Sequence, residues 1–129
     1  MKTAKIVHNS EASEYFFDEG CFISEWWNQP EDAALSIARA RVAPGETTHW
    51  HLLSNSVERY VILAGEGVVE VGDLSPTTVT VGDVVIIPAE VRQRIHNSGS
   101  EDLVFLALCT PRFAPENYVD LEGNRAEQS

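Results

Sequence analysis

Positive charge is scarce in this sequence. Nine lysines and arginines stand against twenty aspartates and glutamates, for a formal net charge of −11. Binding nucleic acid or an anionic membrane surface needs a basic patch, so neither is expected as a partner. Seven of the nine basic residues are arginines, which keeps local contacts with anions open. Cysteine is sparse as well. Cys21 and Cys109 lie far apart, in no metal-type spacing, and read as two reduced, half-buried thiols of a cytosolic protein. Long apolar runs are missing: the longest unbroken one, Leu103 to Cys109, is far too short to span a bilayer. The N-terminal residues hold no apolar core followed by a cleavage site, so no signal peptide is expected and the protein is expected to be soluble and cytoplasmic. Internal repeats and low-complexity segments are absent too.

What is present suits a folded domain. The 129 residues fit one domain around one core, and a 43% hydrophobic content is that of a globular chain. Residues 1–20 are polar, apart from an aromatic cluster at Tyr15, Phe16 and Phe17. Gly20 then precedes CFISEWWN, whose aromatic and β-branched residues read as strand. Residues 33–42 have helical propensity, but the following Pro44-Gly45 turn and the lack of helical pattern nearby favour a strand. From Glu58 the short strands are regular: ERYVILAG, VVEVGD, VTV, VVIIP, VRQRIHN and DLVFLALCT, each ended by a Gly-, Pro- or Ser-containing turn. Roughly eight to ten short strands at such spacing are the signature of an all-β sandwich or barrel. The domain plan is an N-terminal segment (1–32) whose strand packs on the barrel or on a dimer partner, a barrel over 33–112, and a tail over 113–129. Phe113 and Tyr118 are expected to pin the first half of the tail, and its last few residues to fray.

The stretch from Gly45 to Gly67 carries the chemistry. His49 and His51 are two apart, so in an extended strand they project from one face. Joined by the carboxylate of Glu58 from the next strand, they can offer N, N and O ligands to a divalent metal. A second stretch, Gly82 to Asn97, supplies Gln93.

These two stretches resemble the motifs of the small, single-domain bacterial cupins, whose fold is a double-stranded β-helix of the jelly-roll class. The first motif has a Pro-Gly turn, HxH, a glutamate and, after six residues, a glycine; here these are Pro44-Gly45, His49, His51, Glu58 and Gly65. The second has a glycine, five residues, a proline, a further glycine, a histidine and later an asparagine; here these positions hold Gly82, Pro88, Glu90, Gln93 and Asn97. The two motifs cover about 50 residues, and the strand pattern extends the likeness over most of the chain. Three positions depart from the pattern. The loop between His51 and Glu58 is longer than usual, Glu90 replaces a glycine and implies a less tight turn, and Gln93 replaces the histidine of the fourth ligand position. The resemblance implies one divalent transition metal (Fe, Mn, Ni or Zn), with His49, His51, Glu58 and Gln93 as candidate ligands.

In a jelly roll alternate residues face inward. Parity then sends His49, His51 and Leu53 inward on one strand, Glu58, Tyr60 and Ile62 on the next, and Gln93, Ile95 and Asn97 on a third. Gln93 can ligate through its carbonyl oxygen, hydrogen-bond a bound water or substrate, or simply be a buried polar residue bonded to backbone. Tyr60 is the candidate catalytic residue, though such a tyrosine often only fills a barrel. His96 has the opposite parity to Gln93 and is expected to be exposed or at a subunit contact, unless a bulge after Glu90 turns it inward. His8 reads as a surface histidine. Trp26 and Trp27 serve the core or a dimer contact. Arg39 and Arg41 share one face, expected to be solvent or an ion pair with carboxylates, with anion binding open if that face is the interior. Cys109 has no base to form a nucleophile pair with.

Two functions fit. The first is a metal-dependent enzyme acting on a small organic molecule, of dioxygenase, isomerase or cyclase type, with a homodimer expected. The second is a non-catalytic barrel that binds or senses a small metabolite. The resemblance carries the fold, while chemistry has to be argued from the site itself.

Overall fold

Period-two alternation decides which side chains enter the core. In β5 (Val57–Ala64) Glu58, Tyr60 and Ile62 are buried while Arg59 and Val61 are only partly so. In β9 (Gln93–Asn97) Gln93, Ile95 and Asn97 are buried and Arg94 and His96 partly exposed. Both patterns follow the parity expected from the sequence. The computed structural model, which describes residues 3–10 and 13–122, is all-β and forms a single jelly-roll domain. Its remaining strands are β1 (Tyr15–Phe17), β2 (Cys21–Trp27), β3 (Ser36–Val42), β4 (His51–Leu53), β6 (Glu66–Val71), β7 (Thr77–Thr80), β8 (Val84–Ile87), β10 (Leu103–Thr110) and β11 (Tyr118–Asp120). All pair antiparallel, in a six-stranded sheet of order β1-β2-β3-β10-β5-β8 and a five-stranded one of order β11-β4-β9-β6-β7. The core lies between them and is built of Val42, Ile62, Ile87, Ile95, Leu103 and their neighbours. No helix among the described residues is long and apolar enough to cross a membrane.

The long apolar run of β10 is explained by its place: it is hydrogen-bonded on both edges, to β3 and to β5. The helical propensity of 33–42 loses for the same reason, because β3 is paired with β2 on one side and β10 on the other. Asn97, at the end of β9, is fully buried with every side-chain donor and acceptor used. Its amide nitrogen donates to the carbonyls of Val42 and Glu101, both at 2.8 Å, and its Oδ1 accepts from Gly99 N–H at 2.9 Å.

Four expectations meet a different outcome. Tyr15–Phe17 and Tyr118–Asp120, which carry no strong pattern, are strands that extend opposite sheets. The turn at Glu90 is as tight as a glycine would make it. Glu90 takes the left-handed conformation (φ 69°) regardless, its N–H donating to Leu53 O and its Oε1 accepting from Asn55 N–H at 3.0 Å. The histidine strand is shorter than expected: β4 begins only at His51. Ahead of it, Thr48 is drawn inward, its amide donating to Ile95 O and its Oγ1 accepting from Ile95 N–H, each at 2.9 Å. His49, ahead of the strand, is more than a third exposed where His51 is buried, and it does not join His51 in the lining of the space between the sheets. The expected fraying of the tail falls on residues 123–129, outside the described ones.

Candidate acid–base site

Small residues open a space between the sheets. Ala38 and Ala40 on β3 and Ala107 on β10 leave a cavity of about 270 Å³, walled by Ile23, Leu53 and Phe105 among others. Its polar lining includes Glu19, His51, Glu58, Tyr60 and Tyr118, with Glu25 and Tyr15 as exposed members and Asn28, Ser36 and Cys109 beside them.

His51 is the best-defined of them. Its Nδ1 stands 2.7 Å from the carbonyl oxygen of His49. A carbonyl only accepts, so this nitrogen carries a hydrogen, an assignment made by the hydrogen-bond network. Nε2 then faces Glu19 Oε2 at 3.3 Å, with both side chains nearly enclosed. A proton on Nε2 would be shared with that carboxylate oxygen, since an imidazole lone pair and a carboxylate oxygen do not attract each other. Glu19 is held from three sides: Tyr118 OH donates to Oε2 at 3.2 Å, Cys21 Sγ to Oε1 at 3.1 Å, and its own carbonyl accepts His49 N–H at 2.7 Å. The ring of Tyr118 stacks on that of His51, 5.2 Å between centroids.

Glu58 forms a second group. Gln93 Nε2 donates to its Oε1 at 2.8 Å, Cys109 Sγ reaches its Oε2 at 3.7 Å, and Tyr60 OH donates to Gln93 Oε1. Tyr60 thus orients Gln93, and Gln93 orients the carboxylate. Burial raises the Glu58 carboxyl above the usual carboxylate range, an effect opposed by the nearby His51 imidazole. Burial pushes Tyr60 well above the ordinary phenol value, with Glu58 adding to it. Burial also raises both thiols, Cys21 beside Glu19 and Cys109 beside Glu58, so neither is a ready nucleophile.

Of the four residues expected to hold a metal, the structure brings His51, Glu58 and Gln93 together and sends His49 away. His49 Nδ1 pairs with Asp120 Oδ2 at 3.3 Å and is more than a third exposed. The carbonyl oxygen of Gln93 accepts from Tyr60 OH, and its amide nitrogen is turned to Glu58. No group of three His, Cys, Asp or Glu side chains among the described residues stands close enough to share an ion. The four candidates therefore do not fit one metal centre. His96 keeps its outward parity and meets Thr47 Oγ1 at 2.7 Å. Arg39 and Arg41 also face away from the cavity and bind Glu14, with Arg41 reaching Asp102 as well. Trp27 donates to Asp32 at 2.9 Å. Reasoning from sequence missed Glu19 and the part Tyr118 plays beside it. Glu19 follows one short strand and Tyr118 opens another, neither with a repeating pattern, and their contact spans 99 residues.

The raised Glu58 carboxyl has a consequence for stability. The unfolded chain releases this proton in the ordinary carboxylate range, the folded protein only at higher pH. Between those two values the unfolded state binds fewer protons, so stability falls as pH rises through the window. Glu58→Gln removes that slope. Melting curves from pH 4 to 8 are expected to show the variant gaining on the wild type as pH rises, and a gap that does not change with pH would contradict the burial argument.

A family model described as "Cupin domain" matches residues 38–109. A search of curated proteins gives no match. Among solved structures, a predicted oxalate decarboxylase from Thermotoga maritima is 24% identical with a TM-score of 0.74, the match covering 83% of this chain and 99% of the other. A conserved protein with a double-stranded β-helix domain from Klebsiella pneumoniae is 16% identical, covering 92% and 99%, also with a TM-score of 0.74. The nucleoside dehydratase Pac13 of Streptomyces is 14% identical, covering 92% of both chains, with a TM-score of 0.73. These structural likenesses establish the fold.

Proposed function

We propose, from the premise that this chain belongs to the cupin domain family, that its cavity transfers protons on a small organic substrate, in isomerising or cyclising chemistry. The approach of His51 Nε2 to Glu19 Oε2 at 3.3 Å supports this reading above all, because a proton shared by that pair would sit at the surface of an apolar cavity. His51 gives that proton from Nε2 to a substrate atom and, once neutral, takes one back at the same nitrogen, while Glu19 steadies the imidazolium form. Glu58, whose carboxyl burial favours in the neutral form, is the second proton carrier, so two groups of differing acidity face one space. Tyr60 acts through Gln93 as a positioning residue rather than as a catalytic one. The apolar walls orient the substrate and exclude water. A divalent metal, were one bound, would supply Lewis-acid chemistry, but the outward His49 and the engaged Gln93 leave these ligands without a common point.

The experiment is a screen of small alcohols and carbonyl compounds in deuterated water, read by mass spectrometry. The protein is expected to place solvent deuterium on carbon in at least one compound, with His51→Gln inactive and chelator without effect. Activity lost on chelation and restored by one divalent metal would replace this reading with a metal-dependent one. Binding without exchange on any compound would replace it with the non-catalytic barrel.

A further inference from the structure

We infer that the occupant of this cavity is an organic amine, a cation on a small apolar body, and not a carboxylate, phosphate or other anion. The inference rests on the reading above only in taking this cavity as the site. Three acidic side chains line it, those of Glu19, Glu25 and Glu58, and among the described residues no lysine or arginine does. The one basic side chain of the lining, His51, is already paired with Glu19.

The parity of the surrounding strands produces this imbalance. On β3 the cavity receives Ala38 and Ala40, while the intervening Arg39 and the following Arg41 point out of the barrel to Glu14. Arg94 alternates outward from Gln93 in the same way, paired with Glu70 at 2.8 Å. Arg112 is not part of the lining either; it donates to Oδ1 of the lining residue Asn28 at 2.8 Å. An anion entering past Glu25 would meet its carboxylate with no lysine or arginine in the lining to offset it, Glu19 being paired with His51 and Glu58 favoured in the neutral form by burial.

A cation meets the opposite situation at the mouth. Glu25 and Tyr15 are the exposed members of β1 and β2 that line the cavity, and Tyr15 OH donates to Glu25 Oε1 at 3.4 Å. An ammonium group beside them gains a carboxylate partner and the face of an aromatic ring. Its apolar body then extends inward against Phe105, Ala38 and Ala107. The volume of about 270 Å³ suits a molecule of roughly ten heavy atoms.

Three probes of matched shape test this: phenethylamine, 2-phenylethanol and 3-phenylpropionate, titrated into the full chain at physiological ionic strength and followed by amide NMR. Salt suppresses loose attraction to the acidic surface, and shifts centred on the amides of Ala38, Ala40 and Ala107 identify the cavity. The amine is expected to bind tightest, the alcohol less well, and the carboxylate at least about tenfold more weakly than the amine. Glu25→Gln is expected to bring the amine to the affinity of the alcohol and to leave the alcohol unchanged. Equal affinities for amine and carboxylate, including none for any probe, would overturn the inference, as would a Glu25→Gln variant that affects amine and alcohol alike. Probe ranking is independent of turnover. The expected ranking with no deuterium exchange sinks only the proton-transfer reading, and exchange together with a preference for the carboxylate sinks only this one.

Discussion

Gly65→Ala is expected to destabilise the domain by at least about 4 kcal/mol, enough to leave a protein of ordinary stability mostly unfolded or insoluble. Gly65 sits between β5 and β6 with a φ of 83°, a left-handed conformation that costs a residue with Cβ roughly 1–2 kcal/mol. That is the smaller part of the loss. A Cβ there would stand 2.5 Å from the carbonyl oxygen of Asp102 and 2.9 Å from Leu103 Cα. Both are backbone atoms at the start of β10, which is pinned by β3 and β5 on its two edges and cannot retreat without opening the sheet. Gly82→Ala is the control. Its φ of 93° is as unusual, yet nothing lies within 4 Å of an added Cβ, so only the conformational cost of about 1–2 kcal/mol applies. Thermal melts and solubility after expression separate the two. A Gly65→Ala protein that melts within a few degrees of Gly82→Ala would mean that β10 yields, and that the register drawn for it is too rigid.

The same pair marks how far the sequence could be read. Gly65 and Gly82 are equivalent as motif glycines, and spacing alone gives no reason to rank them. What separates them is the strand that passes over one and not the other, a contact between Gly65 and Asp102 that no local pattern carries. Period-two alternation succeeded where strands are long and regular: it sends Glu58, Tyr60, Gln93, Ile95 and Asn97 inward, as the structure does. It failed at His49, because parity counts only along an unbroken strand. The backbone there is diverted by the hydrogen bonds of Thr48 to Ile95, some 47 residues away. Glu19, and the part Tyr118 plays beside it, were illegible for a related reason, although Tyr118 was expected to pin the tail and does so by pairing with Leu53 of β4. Glu19 follows one three-residue strand and Tyr118 opens another, both too short to show alternation, and their meeting is decided by sheet edges that close only in the folded barrel. The signals present were slight: Gly20, directly after Glu19, whose φ of 101° makes the sharp entry into β2, and Tyr118 two residues before Asp120 on one face of a short strand. The barrel itself needed no such detail, since turn residues at regular intervals between β-rich runs were enough to identify it.

Because Glu19 was invisible to that reading, its substitution is the sharpest test of the site. Glu19→Gln is expected to lower turnover roughly 100- to 10,000-fold, the range for removing a positioned proton-transfer group, while leaving the barrel folded. The amide is nearly isosteric with the carboxylate: its oxygen, at the Oε1 position, still accepts from Cys21 Sγ, while its nitrogen, at the Oε2 position, faces His51 and gives up the bond from Tyr118 OH. On the side of His51 the chemistry changes. The ring keeps its Nδ1 hydrogen, which the carbonyl of His49 fixes at 2.7 Å. An N–H of the substituted amide then donates to Nε2, where the wild-type pair would share a proton between nitrogen and carboxylate. The imidazole becomes a plain acceptor with nothing to give, and the loss follows from a missing proton rather than a missing shape. Tyr118→Phe removes a donor to the same oxygen but leaves the shared proton in place, so its turnover is expected to stay within about tenfold of the wild type. Nitrogen-15 NMR of the His51 ring reads the proton directly and needs no substrate: Nε2 should change from a protonated to an unprotonated signal in Glu19→Gln and not in Tyr118→Phe. If Nε2 keeps its proton in Glu19→Gln, or if turnover there stays within about tenfold of the wild type, then Glu19 is a structural carboxylate and the proton that serves the cavity must come from Glu58.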